Sequence, residues 1–283
     1  MPLVSILIPA YNQEKIISKA IESAIAQDYK NKEILVCDDC STDETWQVIK
    51  KFKKIKIFKN LRNLGRVGNH RHLYQNLAKG KYAIMLDGDD YFCDTKFVTK
   101  AVEKAEKNKL KLVFAQVKMA NKSNNINYLD IFKKGVLFMH GAVMTDLALG
   151  NKVGFYNKNI LADDQESFLR LIVKNRIGFI KRSVYVYKKN NDADRYSLKM
   201  RLENDTMIES VYKYGLKTDP ENVKVYETWR KNMLATFFVG NVINLSYHLK
   251  FVVLIKYLNS YGLTNIMKIL KQIPTGYTWG YGH

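Results

Sequence analysis

The chain has 283 residues, 47% hydrophobic and 26% charged, the balance of a soluble globular protein with a sizeable core. Its 46 Lys and Arg against 27 Asp and Glu leave +19, which calls for an anionic partner: nucleic acid, anionic lipid or a phosphorylated substrate. Three cysteines exclude a disulfide framework and point to a reducing compartment, and no run reaches the roughly 18 to 20 uninterrupted apolar residues of a membrane span.

"MPLVSILIPA" is apolar but lacks a basic leader, and a helix-patterned segment follows it. It predicts a buried strand over Val4–Ile8 rather than a signal peptide. Ile16, Ile17, Ala20, Ile21, Ala24 and Ile25 recur at helical spacing, and "KEILVC" reads as a second strand. Ser41 with Glu44 three residues on reads as a capping box opening a helix. "IKIF" is a third strand, Val67 to Ala78 a helix, and "YAIML" a fourth strand. Helical and strand patterns continue with Thr95–Lys107 and Leu110–Met119, and "NKSNNIN" reads as a loop. "ADDQESFLRLIV" opens a further helix, and after about Arg195 helical patterning dominates. Such alternation predicts an α/β fold with a mostly parallel sheet, whose ligands sit outside the carboxyl ends of the strands.

Polar clusters fall at those ends: "PAYN", "DDCSTDE", "NLRNLGR" and "DGDD". Asp87, Asp89 and Asp90 crowd three like charges into four positions, a cost that a shared cation would remove. A surface turn with a helix cap is the bland alternative, and Asp94 supplies that cap more naturally. Cys37 and Cys40 form a C-x-x-C, but only Cys93 and five scattered histidines remain to complete a zinc site. They read as small residues.

In this order the clusters resemble the glycosyltransferase family 2 pattern on the GT-A fold, over roughly residues 3 to 190. "VSILIPAYN" resembles the family's opening strand and loop, and "VCDDCSTDET" its second nucleotide-binding segment. "NLGRVGNHRHLYQNLAKGKYAIMLDGDD" is similar to the stretch that ends in metal-binding carboxylates, and "ADDQESFLRL" to the acidic motif that carries the base. Cys40 departs from the pattern, which usually has Gly there. The resemblance implies an inverting transfer from a nucleotide sugar to a glycan or lipid-linked glycan.

The implied donor contacts are Pro9, Ala10, Tyr11, Asn12, Asp39, Asn63, Gly65, Arg66, Asp87 and Gly88. Asp39 would accept from a uracil ring N–H, so a UDP-sugar is expected, while Asp38 supports the loop backbone. Tyr11 would either stack on the base or pack in the core. Arg66 would meet the diphosphate or belong to a solvated basic face. Asp87 is the implied ribose contact, Asp90 a supporting carboxylate, and Gly88 lets the backbone approach closely. Asp89 is the expected ligand of Mn²⁺ or Mg²⁺, hard cations that take one or two carboxylates plus phosphate and water. Asp164 aligns with the catalytic base, and Asp163 with Glu166 reads as a helix N-cap pair. His140 and Gly141 fall where the family approaches acceptor and diphosphate, with a core histidine as the alternative. Lys188, Lys189 and Arg195 would close over the diphosphate or remain surface charge. His70 and His72, two apart, carry no assignment.

These readings divide the chain into a GT-A catalytic domain over 1–195, split into a nucleotide half (1–93) and an acceptor half (94–195), and a helical C-terminal extension over 196–283. From Thr228 onward there are six Lys or Arg and no Asp or Glu. Together with Trp229, Tyr247, Tyr257, Tyr261, Tyr277, Trp279 and Tyr281, this suits an anionic membrane surface. Packing on the catalytic domain or on a second subunit of a homodimer is the alternative. A cytoplasmic enzyme, peripheral on the inner face of a membrane, is expected. A nucleic-acid-binding α/β protein would explain +19 but gives no reason for Asp87, Asp89 and Asp90, so no nucleic acid is expected. A dinucleotide-dependent oxidoreductase would need a glycine-rich turn where "PAYN" stands.

Overall fold

The computed structural model describes residues 1–115, 128–134, 143–156, 160, 163–180, 185–186 and 198–244. The chain opens with β1 (Val4–Ala10), α1 (Ile17–Ile25), β2 (Lys32–Asp38), α2 (Thr45–Ile49), β3 (Lys56–Lys59), α3 (Gly65–His72) and β4 (Tyr82–Met85). It continues through β5 (Tyr91–Phe92), α4 (Phe97–Asn108), β6 (Leu112–Ala115), α5 (Tyr128–Lys134), β7 (Val143–Asp146), α6 (Leu147–Val153) and α7 (Asp163–Ile172). β8 (Ile177–Ile180), β9 (Tyr185–Val186), α8 (Leu198–Thr218) and α9 (Val223–Asn244) follow, and short turns of other helix types cover Leu73–Leu77 and Pro220–Asn222.

Seven strands form one sheet in the order β3-β2-β1-β4-β7-β6-β8. β1 is parallel to β2 and β4, β2 to β3, and β6 to β8, whereas β7 runs antiparallel to both β4 and β6. The fold is thus α/β with a mostly parallel sheet flanked by helices. β1 is buried along its whole length, as an interior parallel strand covered on both faces must be. α1 buries Ile17, Ala20, Ile21 and Ala24, and α4 buries Phe97, Val98, Ala101, Val102 and Ala105. Those i, i+3, i+4 stripes join β1, β2 and β4 in one core.

Two compact units emerge. The first comprises Met1–Tyr128, Val136–Asn159 and Asp163–Asn191, and the second Leu129–Gly135, Ile160–Ala162 and Asp192–His283. In the second unit α8 packs on α9, closely enough that a Cβ on Gly215 would sit 2.8 Å from the Tyr226 ring. Arg230 Nε donates to Glu209 at 2.7 Å, and the buried Asp219 accepts from the Tyr226 hydroxyl at 2.7 Å. Trp229 is only 2% exposed and lies edge-on to Phe132, with ring centroids 5.3 Å apart. It is therefore a core residue, not the membrane-facing aromatic expected from sequence. Tyr247 and the aromatics after it lie outside the described residues.

Candidate functional site

Each of β1, β2, β3 and β4 ends in a polar segment on the same side of the sheet, because parallel strands bring their carboxyl ends together. The first two ends are tied by backbone and side chain. Asp39 N donates to Ala10 O at 2.8 Å, Asn12 N to Ser41 Oγ at 3.0 Å, and Thr42 N to Asn12 Oδ1 at 2.9 Å. Asn12 (φ +50°) and Cys40 (φ +62°) both take the left-handed conformation that this close approach imposes. A glycine would take that conformation at Cys40 without strain. Tyr11 stands 45% exposed at the end of β1.

Ser41 does not open α2. Its hydroxyl donates to the buried Asp38 carboxylate, and no side chain caps the helix at Glu44. The capping-box reading fails because the turn after β2 uses Ser41 to hold Asp38. Asp43 takes the helix-start role, accepting from Thr45 N at 2.9 Å and from Glu14 N at 3.2 Å. Lys59 Nζ also lies 3.6 Å from Asp38, which fixes this carboxylate as a support for the loop.

Asp39 is buried and points across to the segment after β3. Its Oδ1 accepts from Asn60 Nδ2 and from Leu64 N, each at 2.8 Å. Asn60 Nδ2 reaches Asn69 Oδ1 at 3.2 Å, and Asn69 Nδ2 donates to Cys37 O at 3.0 Å. Asn63 Oδ1 accepts from Gly65 N at 2.7 Å, and Gly65 carries φ +74°, so the turn into α3 requires glycine there. Arg66 is exposed on the first turn of α3. Cys37 is enclosed: burial, reinforced by the neighbouring Asp39 and Asp38 carboxylates, pushes its thiol up to about 12. It is an inert small residue.

After β4 the chain forms a tight turn in which Asp90 N donates to Asp87 O at 3.0 Å. Asp87, Asp89 and Asp90 each offer a carboxylate oxygen within 4.8 Å of the other two, the one such group of metal-ligating side chains among the described residues. Three hard oxygen donors suit a hard divalent cation better than a soft one. A Cβ on Gly88 would meet Gln13 Oε1 at 2.2 Å, Ile17 Cδ1 at 2.7 Å and Pro9 O at 3.0 Å. Packing against the start of α1 already demands glycine there, before any ligand is considered.

His70, left unassigned by the sequence, belongs to this site. It is 1% exposed, and its Nε2 lies 3.1 Å from Asp87 Oδ1. Its ring packs on Tyr156, centroids 5.2 Å apart. Asn60 and Asn69 are likewise site residues that sequence reading passed over. Asn60 follows β3 directly, and a polar residue at the carboxyl end of a parallel strand was the available signal.

Asp164 lies in the first turn of α7, its Oδ1 accepting from Gln165 N at 2.8 Å. The helix is held from its buried face. Tyr156 N donates to Ser167 Oγ at 2.9 Å, and Arg170 pairs with Glu166 at 2.7 Å and donates to Val153 O and Gly154 O. Glu166 is buried and paired with Arg170, and the side chain of Asp163 lies outside the described residues. The two-stranded ribbon of β5 and β9 sets Tyr91 opposite Val186. His140, Gly141, Lys188, Lys189 and Arg195 lie outside the described residues.

Known proteins resemble this chain in sequence or in fold. A stretch of 98 residues is 48% identical to the UDP-Glc:alpha-D-GlcNAc-diphosphoundecaprenol beta-1,3-glucosyltransferase WfaP of Escherichia coli, covering 34% of this chain and 39% of WfaP. The match thus spans well under half of that relative. Staphylococcus aureus TarS 1–349, solved with UDP-GlcNAc, superposes with a TM-score of 0.73 at 17% identity over 95% of this chain and 90% of that one. The mannosyltransferase PcManGT of Pyrobaculum calidifontis, solved with GDP-Man and Mn²⁺, gives a TM-score of 0.61 at 13% identity over 95% and 83%. At those identities the likeness is one of fold, the GT-A type. The family description Glycosyl transferase family 2 matches residues 5–164, from β1 to Asp164. That match covers more than half of the sequence and every carboxyl-end cluster described above, and the chain belongs to this family.

Proposed function

We propose that the protein is an inverting, metal-dependent glycosyltransferase that moves a sugar from a UDP-sugar to a hydroxyl of a glycan or lipid-linked glycan in cell-surface polysaccharide synthesis. The observation that carries the reading is the gathering of Asp39, Asp87, Asp89 and Asp90 at the carboxyl ends of β2 and β4, the two strands that flank β1. The UDP-sugar and the lipid-linked acceptor are supported by the names of WfaP and TarS.

In this reading Tyr11 stacks on the base, and Pro9, Ala10 and Asn12 line its edge. Asp39 meets the uracil N–H: both of its bonds above end on Oδ1, which leaves Oδ2 to accept. Asp87, braced by His70, accepts from the ribose. Asp89 holds Mn²⁺ or Mg²⁺, which would neutralise the charge that develops on the departing diphosphate. Arg66 and the loop around Asn63 and Gly65 add donors on the same side. Asp164 takes the proton of the acceptor hydroxyl as it attacks opposite the leaving group, so the anomeric configuration inverts. His140, Gly141 and Asp163 approach acceptor and diphosphate. Lys188 is supported as a diphosphate contact by following β9 by two residues, since β9 pairs with β5 just after Asp90.

We assign the catalytic domain to 1–195 and the helical extension to 196–283, with the residues after Asn244 as a peripheral contact to the cytoplasmic face of a membrane. No helix among the described residues is long and apolar enough to cross one. A thermal-shift screen of sugar nucleotides with Mn²⁺, followed by donor-hydrolysis assays on the hits, tests the reading. A UDP-sugar should stabilise the protein only with metal present. Stabilisation by purine sugar nucleotides alone, or none by any, would overturn it.

A further inference from the structure

The carboxyl-end site does not account for the charge beside it. Between Thr45 and Leu86 Lys and Arg occur eleven times and Asp or Glu not once, and all eleven cations are exposed. Six of them, Lys50, Lys51, Lys53, Lys54, Lys56 and Lys59, fall within ten residues around β3, the edge strand of the sheet. Lys54, Lys56 and Lys59 span the length of that edge. Lys54 sits close enough to Lys32, at the amino end of β2, to oppose its positive charge. Lys56 lies opposite Leu35, and Lys59 opposite Asp38 at the carboxyl end. Lys50 and Lys59 both approach Trp46, with Nζ atoms 5.9 and 5.5 Å from its ring centroid.

Glu33 and Asp38 partly neutralise Lys56 and Lys59. Lys50, Lys51, Lys53 and Lys54 make no ion pair among the described residues. Edge strands do carry lysines to discourage sheet-to-sheet pairing, but that purpose needs charges on the strand itself, and these four precede it. A second observation bears on the partner. At the carboxyl end of the same edge the chain turns through Leu61, 102% exposed, and Leu64, between Arg62 and Arg66. Met1 and Tyr11 are the other large hydrophobics exposed among the described residues. A nucleic acid backbone would use the cations and leave the leucines in water. A bilayer uses both, with lysines at the headgroups and leucine at the acyl boundary.

We propose that this edge, Lys50–Lys59 with Leu61 at its carboxyl end, docks on the surface of an anionic phospholipid bilayer. It is a contact of the catalytic unit itself, separate from the C-terminal residues, and it deepens the lipid-linked acceptor reading on which its purpose rests. The turn that carries Leu61 also supplies the Leu64 amide to Asp39, so docking sets the donor site at the bilayer rim, where a lipid-anchored acceptor arrives by lateral diffusion.

The test is flotation of the full chain with vesicles of phosphatidylcholine alone or mixed with phosphatidylglycerol, with UDP binding followed by calorimetry as a separate control of the donor site. The wild type should prefer the mixed vesicles. Replacing Lys50, Lys51, Lys53 and Lys54 together by Ser should weaken that binding by about 100-fold or more, leave binding to neutral vesicles unchanged and leave UDP affinity unchanged. Leu61→Ser should weaken it by about tenfold at intact charge. Equal flotation of wild type with both lipids, no flotation with either, or a quadruple variant that floats like wild type would each overturn the proposal. So would stronger binding to single-stranded RNA than to the mixed vesicles. Failure of UDP to bind wild type would count against the transferase reading and leave the vesicle result to stand by itself.

Discussion

At the scale of single residues, the carboxylates were legible because three acids seldom crowd the end of an apolar run. Three acids in four positions after an apolar run stand out, and carboxylate oxygens within 4.8 Å of one another are what the turn after β4 delivers. Asp89→Asn should abolish metal-dependent UDP binding in calorimetry while circular dichroism reports an unchanged fold; unchanged affinity in Mn²⁺ would remove Asp89 from the metal. Asp164→Asn should bind donor normally and lose transfer by roughly two to four orders of magnitude. Asp163→Asn should keep most of its turnover, and the reverse pattern would exchange the two roles. His70 was illegible for a physical reason. Its partner Asp87 lies 17 residues away, and its burial depends on Tyr156, whose left-handed backbone (φ +60°) no local pattern announces.

At the scale of elements, periodicity located the strands and helices but not their direction. β7 reads from sequence as any short apolar run, and only its pairing with β4 and β6 shows that it runs antiparallel. Side chains that serve two elements at once were also hidden. Glu33 accepts from Ser5 Oγ at 2.6 Å, Lys56 Nζ at 2.8 Å and Lys79 N at 2.9 Å, so one buried carboxylate ties β1, β2, β3 and the entry to β4. Burial by itself would raise its proton affinity, but the bonds from Lys56, Ser5 and the Lys79 amide outweigh it, and the carboxyl is held below the usual range. Because its folded value is depressed, it contributes stability that is present above the ordinary glutamate value, about 4.3, and lost as pH falls through the lower folded value. Glu33→Gln should lower stability at neutral pH by about 1–3 kcal/mol and shrink that acid-limb loss, as measured by urea titrations across pH. An unchanged acid limb would show that another carboxylate governs it.

At the scale of the whole molecule, composition misjudged one anchor. Tyr226 and Trp229 fill the interior of the second unit, so neither is available to a membrane surface. Removing residues 245–283 should abolish flotation with neutral vesicles, where apolar burial is the available force, and leave the preference for anionic ones. Full retention on neutral lipid would make the tail a packing or dimerisation element. The +19 charge was visible at once, but its concentration along one sheet edge required the strand order.

The filled space over Gly88 has a consequence for how relatives diverge. Gln13 and Ile17 are flexible at the tips that would meet a new Cβ, whereas the Pro9 carbonyl at 3.0 Å is fixed. Shortening position 13 removes the nearest of these contacts, so a side chain at position 88 should accompany a small residue at position 13 across descendants of a common ancestor. Gly88→Ala should lower the melting temperature, and adding Gln13→Ser should restore most of the loss. Additive losses in the double variant would mean that the backbone of the first strand, not the glutamine, sets the limit on what this turn tolerates.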